Sequence, residues 1–314
     1  MTPKAVSGWY RNAFMGAALI SFYVLEQQWP QVAMWSFVLV TLTLGMGHGA
    51  LDAVLLLKQF KPQSFAVMWS LVYLVVVVTV GWLLSLSFSL ALLALLLMSV
   101  WHFGELHRNH LALRLVVGGA SVMSPALLHG DALSQLLRGT SSHDATWILT
   151  VWTILAWAWA ALVCVVALGQ IFKALVRGRL AYADVGVDVG PITDHRKAAL
   201  QEIFIVLCLG LVFSPLLQFA IYFGFYHCPA HIARVYRAVL RHGNSADTRA
   251  HWAWTLSMLS TALLMAALWY WLPMSDGVAL NLDAHLLQWL VVALGAVTAP
   301  HLMLVSHSSK WLGQ

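Results

Sequence analysis

Charged side chains are scarce in this sequence. Only 9% of its 314 residues are Asp, Glu, Lys or Arg, whereas roughly a quarter of the residues in a soluble domain carry charge. No polar stretch is longer than about 25 residues, which is too short to form an independent core. These absences exclude a disordered chain and a large extramembrane catalytic domain, so any chemistry must lie between helices.

Cysteine is almost absent as well. The three cysteines, Cys164, Cys208 and Cys228, all lie inside apolar segments and form no CxxC pair. An odd number of cysteines without loop placement or motif spacing excludes a disulfide scaffold and gives no indication of redox chemistry.

Apolar residues dominate instead, at 61% of the chain, and they come in runs long enough to cross a lipid bilayer. The sequence therefore predicts an all-α, polytopic transmembrane helix bundle of about 8–10 spans, folded as one domain over residues 1–314. We expect a break at Ser214-Pro215, because proline disrupts a helix interior. The candidate helices are 9–29, 32–57, 65–87, 89–107, 111–129, 146–172, 198–214, 216–236, 251–272 and 285–308.

The basic residues indicate how these spans are oriented. If one span ends before Pro215 and another follows it, all of the 17 Lys and Arg residues except Arg138 fall on one side of the membrane. The positive-inside rule then predicts cytoplasmic N- and C-termini in a multi-pass protein of the cell inner membrane.

Five of the 14 histidines lie well inside apolar sequence: His48, His102, His227, His231 and His301. An ionisable residue inside a membrane span is costly and needs a partner or a function. Helical rise places four of these positions about 9–15 Å from the Lys or Arg that marks a cytoplasmic helix end. The HxxxH pair at 227 and 231 occupies one helix face. We therefore predict a metal site between facing helices.

The residues around two of these histidines fit such a site. Three glycines flank His48 in the segment GMGHGALD and would let a neighbouring helix or a bulky ligand approach the backbone closely. Simple GxxxG-type helix packing through Gly45 and Gly49 explains the same pattern. Asp52 follows His48 by one helical turn, and Glu105 follows His102 by three residues. Either carboxylate could accept a hydrogen bond from the second ring nitrogen of a metal-binding histidine.

The donor set does not select one metal, since imidazole suits Fe, Zn, Cu and Ni. The chain has no HExxH motif, no ExxH pairs and no HxxHH boxes, so a mononuclear site remains. Four aromatic residues next to the histidines, Trp101, Phe103, Phe223 and Tyr226, could line a tunnel for a long apolar substrate. Interfacial positions or ordinary packing are the alternative.

Three motifs, GHGALD at 47–52, WHFGE at 101–105 and YFGFYHCPAHIAR at 222–234, resemble the histidine motifs of the Brp/Blh-like family of bacterial and archaeal membrane β-carotene 15,15′-dioxygenases. The similarity keeps the same order along the chain. It extends to TAPHLMLVSH at 298–307.

The resemblance implies a non-haem Fe(II) dioxygenase that cleaves β-carotene with O2 at the central double bond and gives two retinal molecules. It implies that His48, His102, His227 and His231 are the iron ligands, and it leaves His301 as a further residue around the metal or the cavity. A retinal-binding microbial rhodopsin in the same bilayer is the expected product acceptor. The chain has no nicotinamide or flavin motif, as expected for a reaction without an external reductant.

Two other interpretations remain open on the residues alone. A transporter that moves a divalent metal or a proton along a histidine-lined path would need polar residues that continue to both membrane faces, and few lie on the side opposite the cytoplasm. A haem- or quinone-binding electron carrier could use histidines on two helices, but an HxxxH pair on one helix fits non-haem coordination better.

Overall fold

The computed structural model describes residues 16, 18–59, 63–107, 110–139, 144–182, 192–241 and 282–307, with five isolated residues between 255 and 266. Every regular element in these ranges is a helix. The α-helices are α1 (18–28), α2 (Gln31–Val40), α3 (Met46–Gln59), α4 (Gln63–Ser85), α5 (Phe88–Phe103), α6 (Leu111–Leu128), α7 (Gly130–Gly139), α8 (Asp144–Tyr182), α9 (Ile192–Val212), α10 (Pro215–Ile221), α11 (Cys228–Arg241) and α12 (Leu282–His307).

The predicted helical bundle is confirmed, and most predicted spans correspond to an observed helix. The break before Pro215 is confirmed too: α9 ends at Val212, and Pro215 opens α10, where its missing N–H and fixed φ suit the first helical position. The predicted span 251–272 and the first residues of the predicted span 9–29 lie outside the described residues, apart from isolated positions.

The two largest differences from the predicted boundaries are in α7 and α8. Helix α8 continues to Tyr182, ten residues beyond the predicted span, because residues 173–182 are rich in Lys, Arg, Leu and Ala, which favour helix in water as well as in lipid. A short helix, α7, occupies the predicted loop after residue 129. Its buried Leu133 and Leu137 are four residues apart and lie on one helix face.

The protein is a multi-pass membrane protein by the length and composition of its helices. Four apolar segments are long enough to cross a bilayer, and three shorter apolar helical segments accompany them. The side on which the termini lie remains a prediction. The four long segments are Val67–Ser85, Leu111–Leu128, Trp147–Phe172 and His285–Ser306, and the shorter ones are Gln31–Gly45, Phe88–Phe103 and Ala199–Val212.

Burial divides the long helices into central and peripheral ones. Helices α6 and α12 are mostly buried, whereas α4 and α8 expose most of their apolar side chains, as lipid-facing helices do. Helix α6 packs against α5, α8 and α9, and α12 packs against α4 and α5. Two indole N–H groups attach α8 to α6: Trp159 donates to the Val116 carbonyl at 2.9 Å and Trp152 to the Val122 carbonyl at 2.7 Å.

Candidate metal centre

Two π-helical segments carry histidines into the centre of the bundle. Residues Thr41–Gly45 form a π segment between α2 and α3, three residues before His48, and Tyr222–His227 form another between α10 and α11. A π turn holds one extra residue, so the side chains after it are rotated by about 100° relative to an uninterrupted α-helix. Such segments are frequent at functional sites.

Glycines allow the two π segments to pack against each other. A Cβ atom at Gly45 would lie 2.9 Å from Cε1 of Phe223, and one at Gly224 would lie 2.7 Å from Cγ1 of Val40. A larger residue at either position would force the segments apart. Of the glycines around His48, Gly45 thus serves close helix packing, whereas nothing lies within 4 Å of a Cβ atom at Gly49. The packing at Gly45 sets the separation between His48 and His227.

The second π segment is anchored from a third helix. The Tyr222 hydroxyl donates a hydrogen bond of 2.7 Å to Oε1 of Glu202 on α9, and both residues are buried. The Tyr222 ring packs edge-on against Phe103, which in turn lies 4.6 Å from His227 between ring centroids. Glu202 therefore fixes the position of Tyr222 and, through Tyr222, that of the Phe103 ring that packs against His227.

His102 lies at the end of α5, where the backbones of α5 and α6 are in close contact. A Cβ atom at Gly118 on α6 would overlap the Val100 carbonyl, and one at Gly104 would overlap the Arg114 backbone. Small residues at such crossings let helix backbones approach closely in membranes. This contact fixes the position of the α5 terminus and of His102.

His301 on α12 is held by two residues from other helices. Its Nδ1–H donates to both carboxylate oxygens of Asp52, at 2.8 and 2.9 Å, and the Tyr73 hydroxyl donates to Oδ2 of Asp52 at 2.7 Å. Asp52 and His301 are each 3% exposed. With Nδ1 engaged, the lone pair of the imidazole is on Nε2, which is buried and has no partner among the described residues.

All five histidines predicted from the sequence form one buried cluster. Nε2 of His102 lies 3.3 Å from Nε2 of His48 and 3.1 Å from Nε2 of His227. The His48 ring lies 4.5 Å from that of His231 and 4.6 Å from that of His301, measured between centroids. Five rings from four helical runs therefore converge on one point in the bundle.

The cluster fits a bound transition metal. Nitrogens of His48, His102 and His301 all lie within 4.8 Å of one another, so these three residues could bind one metal ion. An imidazole nitrogen binds a metal such as zinc at about 2.1 Å, so two ligating nitrogens lie about 3.0–3.4 Å apart, depending on the coordination angle. The Nε2 separations of 3.1 and 3.3 Å fall in this range.

Buried polar atoms without partners support the same interpretation. Nε2 of His231 and Nε2 of His301 are buried without a hydrogen bond in the described part of the chain, and such atoms are costly unless something satisfies them. A metal ion accepts lone pairs of this kind from neutral imidazoles. The donor set is all nitrogen, which fits Fe, Zn, Cu or Ni and does not select among them.

The two predicted carboxylate partners bind other groups than those expected. Asp52 was expected to face His48 but binds His301, because it extends from α3 towards α12; Nδ1 of His48 is 3.4 Å from the Gly45 carbonyl instead. Glu105 was expected to face His102 but forms a buried ion pair with Arg114. It lies beyond the end of α5, in a separate 3₁₀ turn.

The four predicted tunnel residues divide into two pairs. Phe103 and Phe223 line a cavity beside His48, His102 and His301. Trp101 and Tyr226 do not line it and are exposed. The Arg114 guanidinium lies 3.5 Å above the centre of the Trp101 ring, and Tyr226 stacks on Tyr222.

Sequence analysis missed Tyr73 as part of this centre. The only indication in the sequence is a phenol in the middle of a mostly apolar span, and the sequence gives no reason to pair it with Asp52, 21 residues earlier.

The chain also matches a known family over most of its length. The family model described as β-carotene 15,15′-dioxygenase matches residues 38–308, a range that contains all five clustered histidines. No curated protein and no solved structure matches the chain. The match covers both the helical membrane bundle and the buried histidine cluster. The chain therefore belongs to the β-carotene 15,15′-dioxygenase family.

Proposed function

We propose that this protein is an Fe(II)-dependent dioxygenase of the cell inner membrane that cleaves β-carotene at its central double bond into two molecules of all-trans-retinal. The observation that carries this proposal is the buried convergence of five imidazoles beside a largely apolar cavity, in a chain of the β-carotene 15,15′-dioxygenase family. The protein would act as a single membrane domain.

His48, His102, His227 and His231 would hold the iron. His301 adds a fifth imidazole, whose Nε2 is buried without a hydrogen bond in the described part of the chain. Neutral nitrogen ligands fit a divalent ion, and Asp52, through His301, brings one negative charge close to it. A bound iron(II) would supply the site for O2 activation next to the double bond.

The protein's own residues orient the substrate and exclude water. Phe103 and Phe223 lie beside the histidines and present an apolar surface to a polyene. The cavity contains few polar groups apart from the histidines, so a hydrocarbon is favoured over water. Holding one double bond at a fixed position converts the reaction into an oriented, effectively unimolecular one.

The reaction balances without another reactant. The central carbon–carbon double bond breaks, and each of its two carbons takes one oxygen atom of O2, so two aldehydes form and no reductant is consumed. Both substrate and product are apolar, so they would enter and leave through the bilayer. A retinal-binding rhodopsin in that bilayer would receive the product.

Expression in cells that already make β-carotene tests this function. Pigments are extracted and resolved by chromatography from cells with the wild-type protein and from cells with the His227→Ala variant. We expect loss of β-carotene and formation of retinal with the wild type only. Persistence of β-carotene beside confirmed wild-type protein in the membrane would overturn the proposal and favour metal transport.

A further inference from the structure

The cavity beside the histidines adjoins a second one. This second cavity lies between the helices, and its walls are almost wholly apolar. The two cavities have four wall residues in common, Leu95, Ser99, Phe219 and Leu294. We call the two together the long chamber, with the histidine cluster at its near end.

Helix geometry gives the length of this chamber. Along α5 its walls run from His102 back to Phe88, and along α12 they run from His301 back to Leu287. Each of these stretches covers 14 residue-to-residue steps, which correspond to about 21 Å at 1.5 Å per residue. Two helices therefore give the same length independently. A slot of this length and polarity is long enough to hold one half of a linear carotenoid together with its end ring.

The far end of the chamber is formed by α7 and α8. Leu133, Leu136 and Leu137 of α7 line it together with Trp152 of α8. Leu133, Leu137 and Trp152 are buried, and the hydrogen bond from Trp152 to the Val122 carbonyl fixes the indole. Helix α7 packs against α6, α8 and α12. This end of the chamber is thus well supported by the surrounding helices.

We propose that α7 sets the position of cleavage, with Leu136 as a specificity-determining residue. The end ring of the carotenoid would stop against Leu133, Leu136 and Trp152, and the distance from this stop to the histidines would select which double bond lies at the metal. This inference rests on the proposed function. It adds a stop at a defined distance as the reason why the central bond is cut rather than one of its neighbours.

Shortening the chamber should move the cleavage site. A larger side chain at residue 136 keeps the end ring farther from α7, so a double bond nearer to that ring reaches the histidines. The reaction at that bond balances as before, with one oxygen atom of O2 on each carbon. Its products are one carbonyl compound shorter than retinal and one apocarotenal longer than retinal.

The experiment compares Leu136→Trp, the milder Leu136→Phe and the control Gln135→Trp, which places the same indole on an exposed position of the same helix. Purified proteins in detergent are given β-carotene, and the products are separated by chromatography with mass detection. Bound metal is measured in each sample to establish that the histidine cluster is intact.

We expect the cleavage site to shift by one double bond or more in the Leu136 variants, with retinal still the sole product of the wild type and of Gln135→Trp. Leu136→Phe decides the result if Leu136→Trp accumulates poorly. Retinal as the sole product of both Leu136 variants would overturn the inference and leave the proposed function intact. If the wild type forms no retinal, the proposed function itself fails.

Discussion

Nδ1 of His301 lies 2.8 Å from Oδ1 of Asp52, although 249 residues separate them in the sequence. The carboxylate also accepts a hydrogen bond from Tyr73, so three helices, α3, α4 and α12, meet in one chain of hydrogen bonds that ends at the histidine cluster. Carboxylates that bind the second nitrogen of a metal-bound imidazole fix the orientation of its ring and raise its basicity.

Asp52→Asn should therefore weaken metal binding by about 10- to 100-fold, the usual cost of losing such a partner. Tyr73→Phe should weaken it less, because Asp52 would keep its bond to His301. The measurement is a metal titration of the purified protein, with Tyr23→Phe, an exposed tyrosine on α1, as the matched control. Unchanged affinity in Asp52→Asn would contradict a role of the Asp52 carboxylate in metal binding.

Gly118→Ala should destabilise the protein by about 1–3 kcal/mol or more, because an added methyl group overlaps the Val100 carbonyl and the α5 backbone cannot move away without cost. His102 would move with α5, so metal binding should fall as well. Gly169→Ala is the control, since nothing lies within 4 Å of a Cβ atom there. Thermal unfolding in detergent and metal content test both effects. Equal stability of the two variants would contradict the close crossing of α5 and α6.

Glu105→Gln should act on stability rather than directly on the metal. Glu105 forms a buried ion pair with Arg114. Its loss leaves the buried Arg114 charge with the Trp101 ring and carbonyl but without a counter-charge, at a cost of up to about 3–5 kcal/mol. A double variant, Glu105→Gln with Arg114→Met, should recover much of the loss because no unpaired charge remains. Denaturation of the single and double variants measures this. A single variant as stable as the wild type would contradict the account of this pair.

Much of the fold was predictable because membrane spans depend on local composition and on proline. The break at Pro215 and the bounds of α6 follow from residues next to each other in the chain. The π segment before His48 was not predictable, since TLTLG differs little from ordinary helical sequence. Helix α7 shows a readable pattern, in which Leu133, Leu136 and Leu137 recur at helical spacing, but its brevity and the polar residues around it favour a loop.

The candidate site was likewise predictable only in part. The convergence of the five histidines followed from the cost of polar groups in lipid and from the similar depth of four of them in their helices. Which carboxylate faces which imidazole depends on how the helices rotate and cross, so neighbours along one helix were poor guides. Asp52 lies one turn from His48, yet it binds a histidine near the other end of the chain.

Metal content and retinal formation, measured on the same purified preparations, test the central claim most directly. The comparison includes wild type, His48→Ala and His110→Ala, the last an exposed histidine at the start of α6. We predict that wild type and His110→Ala hold about one iron per chain and form retinal in proportion to it, consistent with a single mononuclear site, and that His48→Ala reaches the membrane but loses both. Retinal formation by His48→Ala at the wild-type rate, or by wild type without bound iron, would contradict the account.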